Sequence, residues 1–223
     1  MKSLVFDSSS VISLATNDLL WILKPLKDAF AGSFFIPESV RCELVDVPLN
    51  SHRFKWEAIM VSQLITEEEL VVHEKVNVDM LLNSVNNIFS CRGQSIRVVS
   101  KAEIEALAVA LRLNAAGYVV DERTMRLLVE DPLALHRILE GKLHNKIMIN
   151  QRLLNSFKEY TKDVKILRTS ELVLVALERG MLDKYVVKVS KKEIIDALLW
   201  GLRLRGCAIA TEEIEELKKL SRK

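Results

Sequence analysis

A short apolar run that ends on an aspartate and leads into a serine-rich helix start lies near the N-terminus. In SLVFDSSS, residues 4–6 predict a buried strand, Asp7 follows directly, and the serines are typical of a helix N-terminus. GYVVDERT repeats the pattern far along the chain, with Asp121 directly after the apolar run. Because strands and helices alternate in this way, we expect an α/β fold with a mostly parallel sheet and helices on both faces.

Further short apolar runs extend the alternation. Additional strands are predicted in SFFI, ELVVHE, SIRVV, VKILRT and CAIA. Ser100 and Glu103 form a capping box at the start of a strongly apolar helix over residues 102–113, and Gly117 is placed to end that helix.

The predicted domain organisation is simple. Residues from about 131 to 163 have helical character and little strand character, and no Pro/Gly/Ser-rich linker divides the chain. We therefore expect a single domain over residues 1–223, with a helical insertion at about 131–163 and a C-terminal extension over 164–223.

Composition excludes several classes of protein. With 223 residues, 49% hydrophobic and 28% charged, the chain is typical of a soluble globular protein. No apolar stretch reaches the roughly 18 residues of a membrane span, and no secretion signal is recognisable, so we expect a cytoplasmic location. The three cysteines are too widely spaced for a zinc ribbon or a disulfide framework, and the net charge of +2 does not decide whether nucleic acid binds.

Four acids stand at positions that the predicted fold would bring together. Asp7 and Asp121 end strands, Glu103 lies in the first turn of a helix, and Glu43 lies on the helix after SFFI. Functional groups of open α/β sheets gather at the carboxyl ends of the strands, where these acids would repel one another unless a divalent cation balanced them. Mg2+ or Mn2+ suits carboxylate ligands. Taken singly, each acid also has an ordinary structural role, as a helix cap or as an exposed helix glutamate.

In order and spacing, four stretches resemble the PIN-domain ribonucleases: VFDSSSVISLA, IPESVRCEL, AEIEALAVAL and YVVDERTMR. The C-terminal segment is similar to a VapC-like archaeal and bacterial subgroup with a C-terminal helical extension. The resemblance implies a three-layer α/β/α sandwich with a short, mostly parallel sheet. It also implies a cluster of acids that binds Mg2+ or Mn2+.

The same resemblance assigns residues to the site. It implies that the catalytic, metal-binding acids are Asp7, Glu43, Glu103 and Asp121. Glu122 stands where many members have a second aspartate, so either Asp121 or Glu122 is the closer metal ligand. Glu105 is a further candidate, but it should point to another side of its helix, and Ser9 matches a residue that orients an acid.

These assignments imply a metal-dependent ribonuclease that hydrolyses RNA phosphodiester bonds, with Arg123 and Arg126 steering phosphates. The expected partners are RNA, an antitoxin or an RNA-processing protein, and a second copy in a homodimer, with no membrane. One alternative is a catalytically inactive PIN-like module that binds RNA or protein. Another is a phosphatase with Asp7 as nucleophile, which ranks last because Ser9 occupies the place of the second acid that this chemistry needs.

Overall fold

The computed structural model describes residues 2–186 and 189–220. The strands are β1 (Ser3–Phe6), β2 (Ser33–Pro37), β3 (Val71–His73), β4 (Phe89–Cys91), β5 (Gln94–Ser95), β6 (Gly117–Val119), β7 (Met148–Ile149) and β8 (Ile166–Leu167). The first helices are α1 (Ser8–Thr16), α2 (Leu23–Phe30), α3 (Glu38–Arg41), α4 (Val47–Leu49), α5 (Lys55–Thr66), α6 (Asp79–Asn86) and α7 (Lys101–Arg112). The later helices are α8 (Arg123–Glu130), α9 (Pro132–Leu143), α10 (Gln151–Thr161), α11 (Thr169–Glu178), α12 (Lys191–Leu204) and α13 (Thr211–Leu220). A π-helical turn, Cys42–Asp46, joins α3 to α4, and 3-10 turns span Leu20–Ile22 and Asp183–Tyr185.

The central sheet has five strands in the order β3-β2-β1-β6-β8, and every neighbouring pair is parallel. Side chains alternate between its two faces, as the period of a strand requires. Leu4 and Phe6 join the apolar core on one face, whereas Val5 joins the core on the other. The result is two helical layers around a sheet, which confirms the predicted three-layer α/β/α sandwich.

Gly117 begins β6 and does not end α7, so the sequence interpretation of this glycine was wrong. The helix ends at Arg112, and the turn is made by Asn114, whose φ is 45°. A Cβ on Gly117 would lie 2.5 Å from Cδ1 of Leu167 on the neighbouring strand. The glycine is therefore required by close packing inside the sheet.

Two predicted strands are absent from the described residues. In SIRVV only Ser95 belongs to a strand, because the Asn86 side chain accepts hydrogen bonds from the backbone of Val98 at 2.8 Å and of Val99 at 3.0 Å. CAIA is irregular, and its backbone contacts the loop after β6 through Ala208 N, which donates to Asp121 O at 3.2 Å.

The segment from 131 to 163 contains α9, α10 and the short strand β7, which pairs antiparallel with β4 in a second sheet of order β5-β4-β7. Leu135, Leu154 and Phe157 anchor this segment in one of the two cores. After it, β8 completes the central sheet, and α11 to α13 contribute buried side chains to the other core. No helix among the described residues is both long and apolar enough to cross a membrane.

Candidate active site

Asp7 lies at the carboxyl end of β1 and is 1% exposed. Its Oδ2 accepts hydrogen bonds from the Ser9 backbone N–H at 3.1 Å and from the Ser9 hydroxyl at 2.6 Å, so the carboxylate caps α1. Its Oδ1 is buried without a hydrogen-bond partner among the described residues. Burial raises the pKa of Asp7 to about 6, the hydrogen bonds from Ser9 oppose this shift, and the charge of Glu43 adds to it.

Ser9 connects Asp7 to the loop before α8. Its hydroxyl donates to Asp7 Oδ2 and accepts from the backbone N–H groups of Asp121 at 3.0 Å and Glu122 at 3.3 Å. A hydroxyl has one proton to donate and two lone pairs to accept with, so these three bonds use its full capacity. Ser9 therefore fixes the distance between the ends of β1 and β6.

Glu43 lies on the π-helical turn after α3 and is exposed to solvent. Partial burial of its carboxyl group raises its pKa, the nearby Ser8 hydroxyl opposes this, and the charge of Glu103 adds to the rise. π-helical turns are uncommon and occur frequently at functional sites. Glu43 is thus in electrostatic contact with the acids at the sheet edge.

Glu103 forms the predicted capping box of α7. Its Oε2 accepts from the Ser100 backbone N–H at 2.6 Å, while the Ser100 hydroxyl accepts from Glu103 N at 3.3 Å. Burial raises the pKa of Glu103, the bonds to Ser100 oppose it, and the charges of Asp7 and Glu122 raise it further. Glu103 can therefore cap its helix and interact with the neighbouring acids at the same time.

Glu105, two residues further along α7, has a different environment. It is 1% exposed, and its Oε1 accepts a hydrogen bond from the Val76 backbone N–H at 3.1 Å. This contact places its carboxylate against the segment before α6, as its position on the helix predicts.

The adjacent acids Asp121 and Glu122 have different contacts. Glu122 caps α8 through a bond from the Met125 backbone N–H to its Oε2 at 2.7 Å, and its charge raises the pKa of Glu103. Asp121 is fully buried, and its Oδ1 accepts from the Thr169 backbone N–H at 2.8 Å. Burial and the neighbouring Asp121 carboxylate raise the pKa of Cys207 to about 12. The side chain of Asp121 therefore contacts the C-terminal part of the chain.

A buried phenol, Tyr118 on β6, lies beside the acids and has no counterpart in the sequence interpretation. Its hydroxyl donates to the Glu103 backbone carbonyl at 3.3 Å. Burial raises its pKa well above the ordinary value, and the charges of Asp7, Glu103 and Glu122 add to the rise. The available signal was the position of Tyr118 in the short strand that leads to Asp121, but a tyrosine among apolar strand residues is normally assigned to the core. Ser8 was likewise assigned only to the helix start.

The acids at the edge of the sheet meet the requirements of a divalent ion in part. Among the described residues, no group of three or more His, Cys, Asp or Glu side chains lies close enough to hold a metal ion. The unpartnered, buried Oδ1 of Asp7 is nevertheless costly as it stands, and a cation would satisfy it. Neighbouring carboxylate charges raise the pKa of Asp7, Glu43 and Glu103, and carboxylate oxygens are the ligands that Mg2+ and Mn2+ prefer. The residues fit such an ion in chemistry, and the glutamate side chains would have to rotate to enclose it.

The two arginines after the acids differ in their availability. Arg123 is exposed at the start of α8. Arg126 is mostly buried, and its Nη1 lies 3.5 Å from Glu130 Oε2. Only Arg123 is therefore free to meet a phosphate in this arrangement.

Comparisons with known proteins give one match. A family model described as a PIN domain matches residues 3–131, a range that includes all the predicted site acids: Asp7, Glu43, Glu103, Asp121 and Glu122. Neither the curated proteins nor the solved structures give a match. The matched segment ends where the predicted helical insertion begins and covers more than half of the chain. The chain belongs to the PIN-domain family.

Proposed function

We propose that the protein is a metal-dependent endoribonuclease that hydrolyses RNA phosphodiester bonds. PIN domains are generally nucleases. The observation that supports the proposal is the interaction of charges among four acids from four separate segments, namely Asp7, Glu43, Glu103 and Glu122, around the buried, unpartnered Oδ1 of Asp7. Each is in electrostatic contact with at least one other.

In this proposal, Asp7, Glu43, Glu103 and Glu122 hold Mg2+ or Mn2+. When bound, the ion supplies a water of lowered pKa and positive charge for the departing oxyanion. Ser9 holds Asp7 and the start of α8 in register, and the capping bonds orient Glu103 and Glu122. Arg123 meets a backbone phosphate at the edge of the site.

Between the two acids that the sequence left open, the contacts favour Glu122 as the ligand. Asp121 then acts as a positioning residue that ties α11 and the segment after α12 to the loop carrying Glu122. Its Oδ2 is buried without a partner among the described residues, so an ion near it would also be accommodated there. A comparison of amide variants decides between these roles, as described in the Discussion.

A second candidate function is a PIN-like module that binds RNA or protein without cleavage. It is favoured by one observation, the lack of three carboxylates within ligand distance of a common point in the described part of the chain. The toxin role, the VapC-like subgroup, an antitoxin or RNA-processing partner, the homodimer and the cytoplasmic location remain predictions from the family resemblance.

The test is incubation of the purified protein with labelled single-stranded RNA and Mn2+ or Mg2+, beside Asp7→Asn and Glu103→Gln. We expect cleavage by the wild type, its loss with a chelator, and its loss in both variants. Absence of cleavage by every form, together with absence of metal binding by calorimetry, would reject the enzyme in favour of the binding module. Equal cleavage by all forms would identify a contaminating nuclease and equally reject the assignment.

A further inference from the structure

Residues 52–56 have the sequence HRFKW, in which basic and aromatic side chains alternate at the start of α5. Phe54 is 43% exposed and Trp56 is 67% exposed. Two large aromatic side chains exposed within three residues of one another are candidates for an interaction surface.

This segment adjoins the acid cluster. Phe54 and Glu43 line one cavity of about 70 Å³ whose other walls are mainly apolar, with α1 contributing the largest share. Helix α5 packs against both the π-helical turn that carries Glu43 and the helix α1 that Asp7 caps. The helix that carries Trp56 and follows Phe54 therefore packs against the elements next to Glu43 and Asp7.

The backbone at Phe54 has an unusual conformation. Its φ is 61°, in the left-handed region that bulky residues rarely adopt. The Arg53 guanidinium carbon lies 4.6 Å from the centroid of the Phe54 ring. An unfavourable conformation is kept only where the surrounding structure imposes it, and here it presents a ring and a cation together at the surface.

The cations of this segment are available to a ligand. In the part of the chain that the structure describes, neither Arg53 nor Lys55 forms an ion pair, whereas Arg126 pairs with Glu130 and Arg168 with Glu213. A cluster of carboxylates repels phosphate, so positive charge close to the site is needed to bring a phosphodiester to it.

We propose that Phe54 and Trp56 form a stacking platform for unpaired bases of single-stranded RNA, flanked by Arg53 and Lys55, which contact the backbone phosphates. The inference rests on the proposed function, since the platform would hold the strand that the acids cleave. Every base has a π-face, so aromatic stacking binds single strands with little sequence preference, and paired bases are not accessible to it. Alternation of cations with the rings favours a nucleic acid over an apolar protein partner.

The test is fluorescence anisotropy with a short, unstructured, labelled RNA, measured in the cleavage-deficient Asp7→Asn background. Trp56→Ala and Phe54→Ala should each weaken binding by roughly 5- to 150-fold, the range given by the loss of one base stack. Arg53→Gln should also weaken binding, and the size of its effect should fall as the salt concentration rises. Tyr160→Ala is the matched control, because Tyr160 is an aromatic residue of α10 with 47% exposure and should have no effect.

Three results would overturn the platform. One is unchanged RNA affinity in Phe54→Ala and Trp56→Ala. Another is an equal loss of affinity for a duplex of the same sequence, which would exclude stacking on unpaired bases. The third is unchanged RNA affinity with an altered mass in light scattering, which would make the patch a self-association surface.

The platform and the proposed function can fail separately. Trp56-dependent binding without metal-dependent cleavage by the wild type would support the platform and reject the enzyme. Cleavage that requires Asp7, combined with RNA binding insensitive to Trp56, would reject the platform alone.

Discussion

The Ser9 hydroxyl accepts a hydrogen bond from the backbone N–H of Asp121 at 3.0 Å, across a sequence separation of 112 residues. The same hydroxyl donates to Asp7 Oδ2 at 2.6 Å. Neighbouring parallel strands β1 and β6 bring the two loops together, and this one side chain sets their spacing. The position of the strand-ending acid Asp7 relative to Glu122 therefore depends on a serine that need not touch metal or substrate.

Ser9→Ala should lower metal affinity and cleavage by about 10- to 100-fold, the usual cost of losing a group that orients a metal ligand. Ser9→Thr keeps the hydroxyl and should restore most of the activity. Ser84→Ala is the control, since that exposed hydroxyl donates only to the Met80 carbonyl of its own helix. Full activity and metal affinity in Ser9→Ala would show that the bridge is dispensable.

Asp7→Asn should stabilise the metal-free protein at neutral pH. Because burial raises the pKa of Asp7 from 3.8 to about 6, its favourable contribution to folding is complete below pH 3.8 and is lost as the pH rises through about 6. The variant should gain up to about 3 kcal/mol in the free energy of unfolding at pH 7, and this gain should vanish near pH 4. Urea unfolding between pH 4 and pH 8 measures the difference. A variant less stable than the wild type throughout would refute the cost assigned to this carboxylate.

Glu122→Gln should remove metal-dependent cleavage, whereas Asp121→Asn should retain a measurable part of it. Each amide keeps an oxygen for the local bond, from Met125 N in one case and Thr169 N in the other, so the variants differ mainly in the carboxylate removed. Single-turnover cleavage rates give the comparison. Loss confined to Asp121→Asn would make Asp121 the ligand and Glu122 only a helix cap.

Cys207 should resist a thiol reagent at neutral pH in the folded protein. Its thiol is buried and has a pKa of about 12, whereas Cys42 is exposed. Mass spectrometry of labelled peptides should therefore show early modification at Cys42 and none at Cys207. Asp121→Ala should accelerate labelling of Cys207 without changing that of Cys91, because it removes the carboxylate that helps to raise the pKa of the Cys207 thiol. Rapid labelling of Cys207 in the wild type would contradict this packing.

The sequence predicts those features that depend on short periodic patterns. The strand before Asp7 and the capping box of Ser100 and Glu103 follow from residue spacing, and both occur in the structure. SIRVV and CAIA have strand composition, but contacts distant in sequence, with Asn86 and with Asp121, decide their conformation. Local propensity cannot include such contacts.

Within the site, the sequence does not tell which way neighbouring acidic side chains point. Asp121 and Glu122 are adjacent, and which carboxylate turns towards Glu103 depends on where α11 and the 207–210 segment pack. Phe54 and Trp56 lie in SHRFKWEAIMVSQL, whose apolar residues have helical spacing, and this spacing does not tell which of the two rings faces solvent. In the structure Phe54 has a φ of 61° just before α5, Trp56 lies in the first turn of that helix, and both rings are exposed.

Calorimetric titration of Mn2+ into the wild type and into Asp7→Asn, Glu43→Gln, Glu103→Gln and Glu122→Gln tests the central claim most directly. Glu105→Gln is the control, because Glu105 belongs to the same helix as Glu103 but binds the Val76 backbone. The account predicts saturable binding to the wild type and the control, and weakened or absent binding in all four other variants. Equal binding by all proteins, or no binding by the wild type, would contradict a metal site built from these four carboxylates.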